Sequence, residues 1–132
     1  IRTSQDGRAF YDIKGDYISL PPVEAYTATQ FSTATQVRYG TEMHEKGHEM
    51  GKYFDAFKKK FDRAKEELVA EIFSSMACIG KVQNRMQPEN AQYLGGWLKG
   101  IKDDENYLSD AVDQAFDRLN LLNEMAASRK AA

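Results

Sequence analysis

His44-Glu45-Lys46-Gly47-His48 holds both histidines of this 132-residue chain within five positions. On a helix that spacing sets two imidazoles one turn apart on one face, with a carboxylate beside them. Two neutral imidazoles can hold a divalent zinc ion, and the glutamate can take a proton from a water at the metal. The flanking residues favour a helix here. Thr33 and Gln36 have the spacing of a capping box, which predicts a helix start near Ser32 or Thr33. Val37, Gly40, Thr41, His44 and His48 recur at three- and four-residue intervals, so the histidines face whatever this helix packs against. Gly51 is placed to end it in a left-handed cap.

Upstream, Ala9 to Ile13, then Lys14-Gly15-Asp16, then Tyr17 to Leu20 read as a strand, a turn and a second strand. Pro21-Pro22 stops the second strand, because neither proline can donate to a ladder. The stretch up to Phe31 reads as loop or one short helical turn. Downstream, Phe54, Phe57 and Phe61 fall on one helical stripe, with Lys58, Lys59 and Lys60 as a solvated face. A strong amphipathic helix is expected from Asp62 to Ile79. Its stripe is Ala64, Leu68, Ile72 and Ser75, widened by Met76 and Ile79, with Gly80 closing it.

A polar loop over residues 81–89 precedes two further helices, Asn90 to Lys102 and Asp104 to Ala127. The first places Trp97 on an apolar face with Leu94, Leu98 and Ile101; its Gly95, Gly96 and Gly100 fit a close helix approach or a hinge. The second turns Leu108, Val112, Ala115, Leu119 and Leu122 inward, and its last residues are expected to fray. The expected fold class is α+β and mostly helical: one domain over residues 1–132, with a short N-terminal β-hairpin and the His-Glu helix packed on a glutamate-bearing helix.

Composition narrows the function. With 42% hydrophobic residues, the chain can bury one core. A net charge of −2 offers no footprint for gripping a phosphate backbone, so direct nucleic-acid binding is not expected. The lone Cys78 cannot form an intrachain disulfide and sits among apolar residues, as a reduced thiol would in a cytoplasmic protein. No apolar run approaches bilayer length, so no membrane partner is expected. The chain opens at Ile1 and reads as a piece of a longer protein.

Two imidazoles alone make a poor zinc site, since catalytic zinc takes three protein ligands and keeps a position for water. With no third histidine, the remaining ligand is a carboxylate or Cys78. Glu67 and Glu71 lie four apart in Glu66-Glu67-Leu68-Val69-Ala70-Glu71, on one face beside the apolar stripe. Carboxylates at the edge of a buried stripe are costly unless paired or metal-bound. Glu67 is therefore assigned as third ligand and Glu71 as acceptor for an imidazole N–H. Glu66 points about a third of a turn away and is expected to be more exposed.

These segments, with Tyr39-Gly40-Thr41 before the motif and Tyr93-Leu94-Gly95-Gly96-Trp97-Leu98-Lys99 after it, form an ordered series. The series resembles the zincin-like metallopeptidase domain of phage and plasmid polyvalent proteins, including antirestriction proteins of the ArdC type. The resemblance covers about Ala9 to Ala115. It implies a zinc peptidase fold in a bacterial host, often behind a single-stranded-DNA-binding domain that this sequence does not contain. It also implies zinc ligands at His44, His48 and Glu67 and a general base at Glu45. Where that family usually has an apolar residue inside the motif and an aromatic after it, this chain has Lys46 and Glu49.

The expected chemistry is hydrolysis of a peptide bond in a peptide or protein substrate. Tyr93 and Tyr53 are candidates to donate to the oxyanion, and the strand Tyr17 to Leu20 is a candidate to receive an extended substrate. Two alternatives remain open. One is a zincin without turnover that serves as an antirestriction or interaction module; the other is metal-dependent hydrolysis of something other than a peptide.

Overall fold

The computed structural model describes residues 1–4, 6–28, 33–58, 61–79 and 92–131. A small sheet leads the chain: β1 (Arg2–Thr3), β2 (Phe10–Asp12) and β3 (Tyr17–Leu20). The expected hairpin is β2 and β3, paired antiparallel with Phe10 opposite Ser19 and Tyr11 opposite Ile18. Its turn is held by Asp12, whose carboxylate accepts from the Gly15 N–H at 2.6 Å, and Asp16, not Gly15, takes the left-handed conformation at φ 53°. No strand was expected at β1, which pairs parallel to β3 through Arg2–Ser19 and Thr3–Leu20. The strand order is β1-β3-β2. β3 is therefore the central strand, which removes it as a receiver of added strands; among the described residues the edge strands are β1 and β2, and β2 is the one that borders the cleft.

A short 3₁₀ turn at Val23–Ala25 connects the sheet to α1 (Ala34–Met50). The capping box is present in both directions: Thr33 accepts from Gln36 N–H, and the Gln36 side chain accepts from Thr33 N–H at 2.9 Å. Gly51 does not form the expected left-handed cap. It stays right-handed at φ −60° and continues into a 3₁₀ turn, Gly51–Phe54, after which Asp55 reverses the chain at φ 58°. Among the described residues Phe54 and Phe57 accordingly share no α-helix; Phe57 and Phe61 form a ring pair 5.7 Å apart. Lys58 is exposed as expected, while Lys59 and Lys60 lie outside the described residues.

α2 (Arg63–Ala77) starts at an Asp62 cap whose carboxylate accepts from Lys65 N–H at 3.1 Å. The face it buries is rotated from the expected stripe: Glu66, Glu67, Val69, Ala70, Glu71, Phe73 and Ser74 are buried, whereas Ser75 and Ile79 are exposed. This rotation turns the glutamates toward α1. The proposed closure at Gly80 and the polar loop over 81–89 lie outside the described residues. α3 runs Leu94–Asp103 and α4 Tyr107–Ala131, so the last helix extends past its expected end at Ala127.

The core joins Met50 of α1, Val69 and Phe73 of α2, and Ala111 and Ala115 of α4. Leu68, Ile72, Leu119 and Leu122 pack around it. On the other side of α1, Ile18 and Leu20 of β3 are fully buried. α4 buries part of the expected face: Ala115, Leu119 and Leu122 turn inward. Leu108 and Val112 are exposed, and the seam is Ala111, Ala115, Arg118 and Leu122. Small residues let three helices approach closely, so the seam does not coincide with the largest apolar side chains.

α3 docks on the start of α2 through Trp97, buried as expected, whose indole N–H donates to Ala64 O. Its apolar companions are exposed: Leu94, Leu98 and Ile101 face outward among the described residues. Gly100 marks a close approach, since a Cβ there would lie 2.5 Å from the Tyr107 ring. No helix among the described residues is long and apolar enough to cross a membrane.

Candidate metal centre

The close approach of α1 and α2 starts at Gly47. A Cβ at that position would sit 3.1 Å from the Phe73 side chain, so the bare glycine lets α2 lie directly against the motif. Ser74 Oγ donates to Gly40 O at 2.9 Å and fixes the register about two turns earlier on α1. In this register Glu67 of α2 reaches both histidines of α1.

One carboxylate oxygen is the meeting point. Glu67 Oε2 lies 3.1 Å from His44 Nε2 and 3.2 Å from His48 Nε2. The rings stand edge to face with centroids 4.9 Å apart. Each far ring nitrogen faces its own carboxylate: His44 Nδ1 lies 2.9 Å from Glu71 Oε1, and His48 Nδ1 lies 2.8 Å from Glu66 Oε2. The donor atoms of His44, His48 and Glu67 all fall within 4.8 Å of one another.

This donor set fits a divalent metal. Carboxylates at the Nδ1 positions favour the tautomer with its proton on Nδ1 and its lone pair on Nε2. The Nε2 atoms converge on Glu67, so one point can be reached by two nitrogens and one oxygen, the ligand types that zinc takes. The second proton that each imidazole needs to bond Glu67 is the one a dication would displace.

The electrostatics follow from crowding charge into a buried place. Burial alone would lower the His48 imidazole, but hydrogen bonds to Glu66 and Glu67 outweigh it and push it up to about 10. For His44 burial acts in the same direction and is again outweighed, by Glu67 and Glu71, so its pKa is raised. Burial would raise Glu67, yet the two imidazoles hold it well below the usual carboxylate range. Glu45 is different. It is buried in the same place without such a bond from a cation, and desolvation raises its carboxyl.

Glu66 departs from expectation. It is buried, and Arg118 of α4 clamps it with two bonds of 2.8 Å, Nη1 to Oε2 and Nη2 to Oε1. The same guanidinium donates to Gly47 O at 3.0 Å. Arg118 was missed because its partners are 52 and 71 positions away. The available signal was an arginine on the Ala111–Ala115–Leu122 seam, where a solvated cation does not belong.

The centre opens into a cleft of about 440 Å³. His44, Glu45, His48 and Glu67 line it from the helices, Arg8, Phe10 and Tyr11 from β2 and its approach, and Phe57, Phe61, Arg63 and Tyr93 from the rim. Tyr93 thus reaches the cleft, whereas Tyr53 sits half-exposed on the 3₁₀ turn and does not line it. Cys78, the other candidate third ligand, is buried at the end of α2 and is not one of the three clustered donors. Lys46 and Glu49 neutralise each other in an ion pair of 2.6 Å.

Residues 1–114 match the family model of a zincin-like metallopeptidase. DNA primase TraC of Escherichia coli is 34% identical over 116 residues, covering 79% of this chain and 10% of TraC. Two crystal structures of the antirestriction protein ArdC from plasmid R388 are similar to the chain over 96% of its length. The metal-free form superposes with a TM-score of 0.78 at 34% identity, and the Mn(II)-bound form with 0.80 at 35%. The chain spans less than half the length of ArdC, 46% to 47%, and about a tenth of TraC.

Proposed function

The chain belongs to the zincin-like metallopeptidase family, and from that premise we propose that it hydrolyses peptide bonds with zinc held by His44, His48 and Glu67. The observation that carries this reading is the convergence of both Nε2 atoms on one Glu67 oxygen, with each Nδ1 backed by a further carboxylate. Bound zinc supplies a Lewis acid and brings the pKa of water toward neutrality. The protein's own groups do the rest. Glu45 lines the cleft with its carboxyl raised by burial, which suits a group that takes a proton near neutral pH and returns it to the leaving amine. Glu71 and Glu66 hold the imidazoles in the tautomer that keeps Nε2 open. Tyr93, at the rim, donates to the oxyanion. An extended peptide lies along β2, the edge strand that borders the cleft.

The setting proposed is the cytoplasm of a bacterial host, where the domain acts on proteins met during antirestriction, the activity for which ArdC is named, with no nucleic-acid contact of its own. The acidic balance of −2 supports the last point. The competing reading is an interaction module that keeps the metal without turnover, and the outward apolar face of α3 and α4 favours it. One substitution separates them. Glu45→Gln is expected to retain about one zinc per chain and lose peptide hydrolysis by at least 100-fold, roughly the scale of general-base loss. His44→Ala and Glu67→Ala are expected to lose the metal itself. Full antirestriction activity in Glu45→Gln would favour the interaction module, and full zinc occupancy in Glu67→Ala would refute the ligand assignment.

A further inference from the structure

Arg63 opens α2 four residues before Glu67, a spacing at which an arginine and a glutamate can pair along a helix face. Here the pair does not form among the described residues. Glu67 is drawn to the two imidazoles, and Arg63 Nε donates instead to the Tyr93 hydroxyl at 2.9 Å. Both side chains line the cleft. Their positions are fixed from behind: Tyr93 stacks on Trp97 with centroids 6.5 Å apart, and the Trp97 indole donates to the carbonyl of Ala64, the residue after Arg63. A phenol oxygen that accepts from a guanidinium keeps its own proton and turns it away from the cation. The bond is charge-assisted, which makes that proton a better donor to a second acceptor.

We propose that Arg63 is a positioning residue for the oxyanion: it holds the Tyr93 hydroxyl at the cleft rim and sets a fixed positive charge beside the tetrahedral oxygen of a peptide substrate. This rests on the peptidase reading, with Tyr93 as the donor that touches substrate and Arg63 acting through it. The Arg63–Tyr93 bond is in place before any substrate arrives, in keeping with electrostatic preorganisation.

Two zinc-binding probes separate this role from metal binding and from folding. N-phosphoryl-Leu-Phe presents a tetrahedral anion, whereas mercaptoacetyl-Leu-Phe binds zinc through sulfur and has no oxyanion oxygen. In the zinc-loaded protein, Arg63→Met and Tyr93→Phe are each expected to weaken the phosphoryl dipeptide by about tenfold or more, and the thiol by less than about twofold. The double variant should lose little beyond either single change. In the metal-free protein, Tyr93→Phe should shift the Arg63 Nε–H resonance in a ¹H–¹⁵N spectrum. Equal weakening of both probes, or unchanged phosphoryl binding in Arg63→Met, would overturn the proposal. Absence of peptide hydrolysis in the unsubstituted protein, with the probe discrimination intact, would instead count against the peptidase reading and leave the Arg63–Tyr93 pair supported.

Discussion

The walls of the metal cleft and the outer face of α3 and α4 reverse the usual division of side chains. Around the cleft, charge is inside: Arg118 is 1% exposed, His44 3% and Glu66 6%. On the outer face, apolar side chains meet solvent: Leu98 is 69% exposed, Phe116 54% and Leu108 45%. Burying a charge is costly unless it meets an opposite charge with good hydrogen bonds. The cleft satisfies that condition through Arg118 to Glu66 to His48, through Glu71 to His44, and through Glu67 between the rings. Stability by itself does not call for such a cluster, because well-packed apolar residues of similar volume serve a core as well or better. The difference teaches that the inside of α1, α2 and α4 is arranged for an ion, while the exposed apolar face carries no comparable constraint from the described residues.

Arg118→Met should break the comparison most severely. It leaves Glu66 buried without its cation, which costs about 3–5 kcal/mol, measured as a lowered urea midpoint. Zinc affinity should also fall by about 10- to 100-fold, because Glu66, the acceptor that fixes the His48 ring, loses the clamp that holds it. A variant of unchanged stability would show that Glu66 is not a buried charge in solution.

The pH dependence of the metal-free protein sharpens the same contrast. His48 is raised to about 10 by Glu66 and Glu67 against the opposing effect of burial. Its contribution is therefore complete below the unfolded pKa of about 6.5 and lost as pH climbs to about 10. Glu67 works in the opposite direction: its depressed pKa gives a contribution that is present above the unfolded value and lost in acid. The thermal midpoint should thus fall from neutral pH toward pH 10 in the metal-free state. Zinc should rescue it increasingly over that window, since metal replaces protons on the imidazoles. A flat profile, with or without zinc, would contradict the paired arrangement.

The smallest effect belongs to the other region. Leu98→Ser and Phe116→Ser should each change stability by no more than about 0.5 kcal/mol, as expected of exposed positions. A loss above about 1 kcal/mol, read from the same urea transitions, would show that this face is covered in solution.

What could be read from the sequence divides along the range of the interactions. The capping box at Thr33, the shared face of His44 and His48, the hairpin ending at Leu20 and the common face of Glu67 and Glu71 all rest on contacts within a turn or two. Helical and strand periodicity fix such relations before any packing occurs. The expected inward faces of α2 and α4 held only in part, for the converse reason. Periodicity found the side that carries Leu68 and Ile72 on α2 and Ala115, Leu119 and Leu122 on α4, but close packing left Ser75, Ile79, Leu108 and Val112 exposed and buried Ala111.

By itself, then, the sequence determined that two imidazoles share a helix face with a carboxylate beside them and that another glutamate follows on the next helix. Only the tertiary structure decided that Glu66 is buried, that Arg118 neutralises it from across the core, that β3 is the central strand, and that Arg63 turns to Tyr93. Each of these pairs residues distant in the chain, and no local spacing encodes them. The Glu66–Arg118 pair exists because α1, α2 and α4 pack closely enough to exclude water, where an unpaired charge is costly; the other two follow from strand pairing and from the docking of α3 on α2.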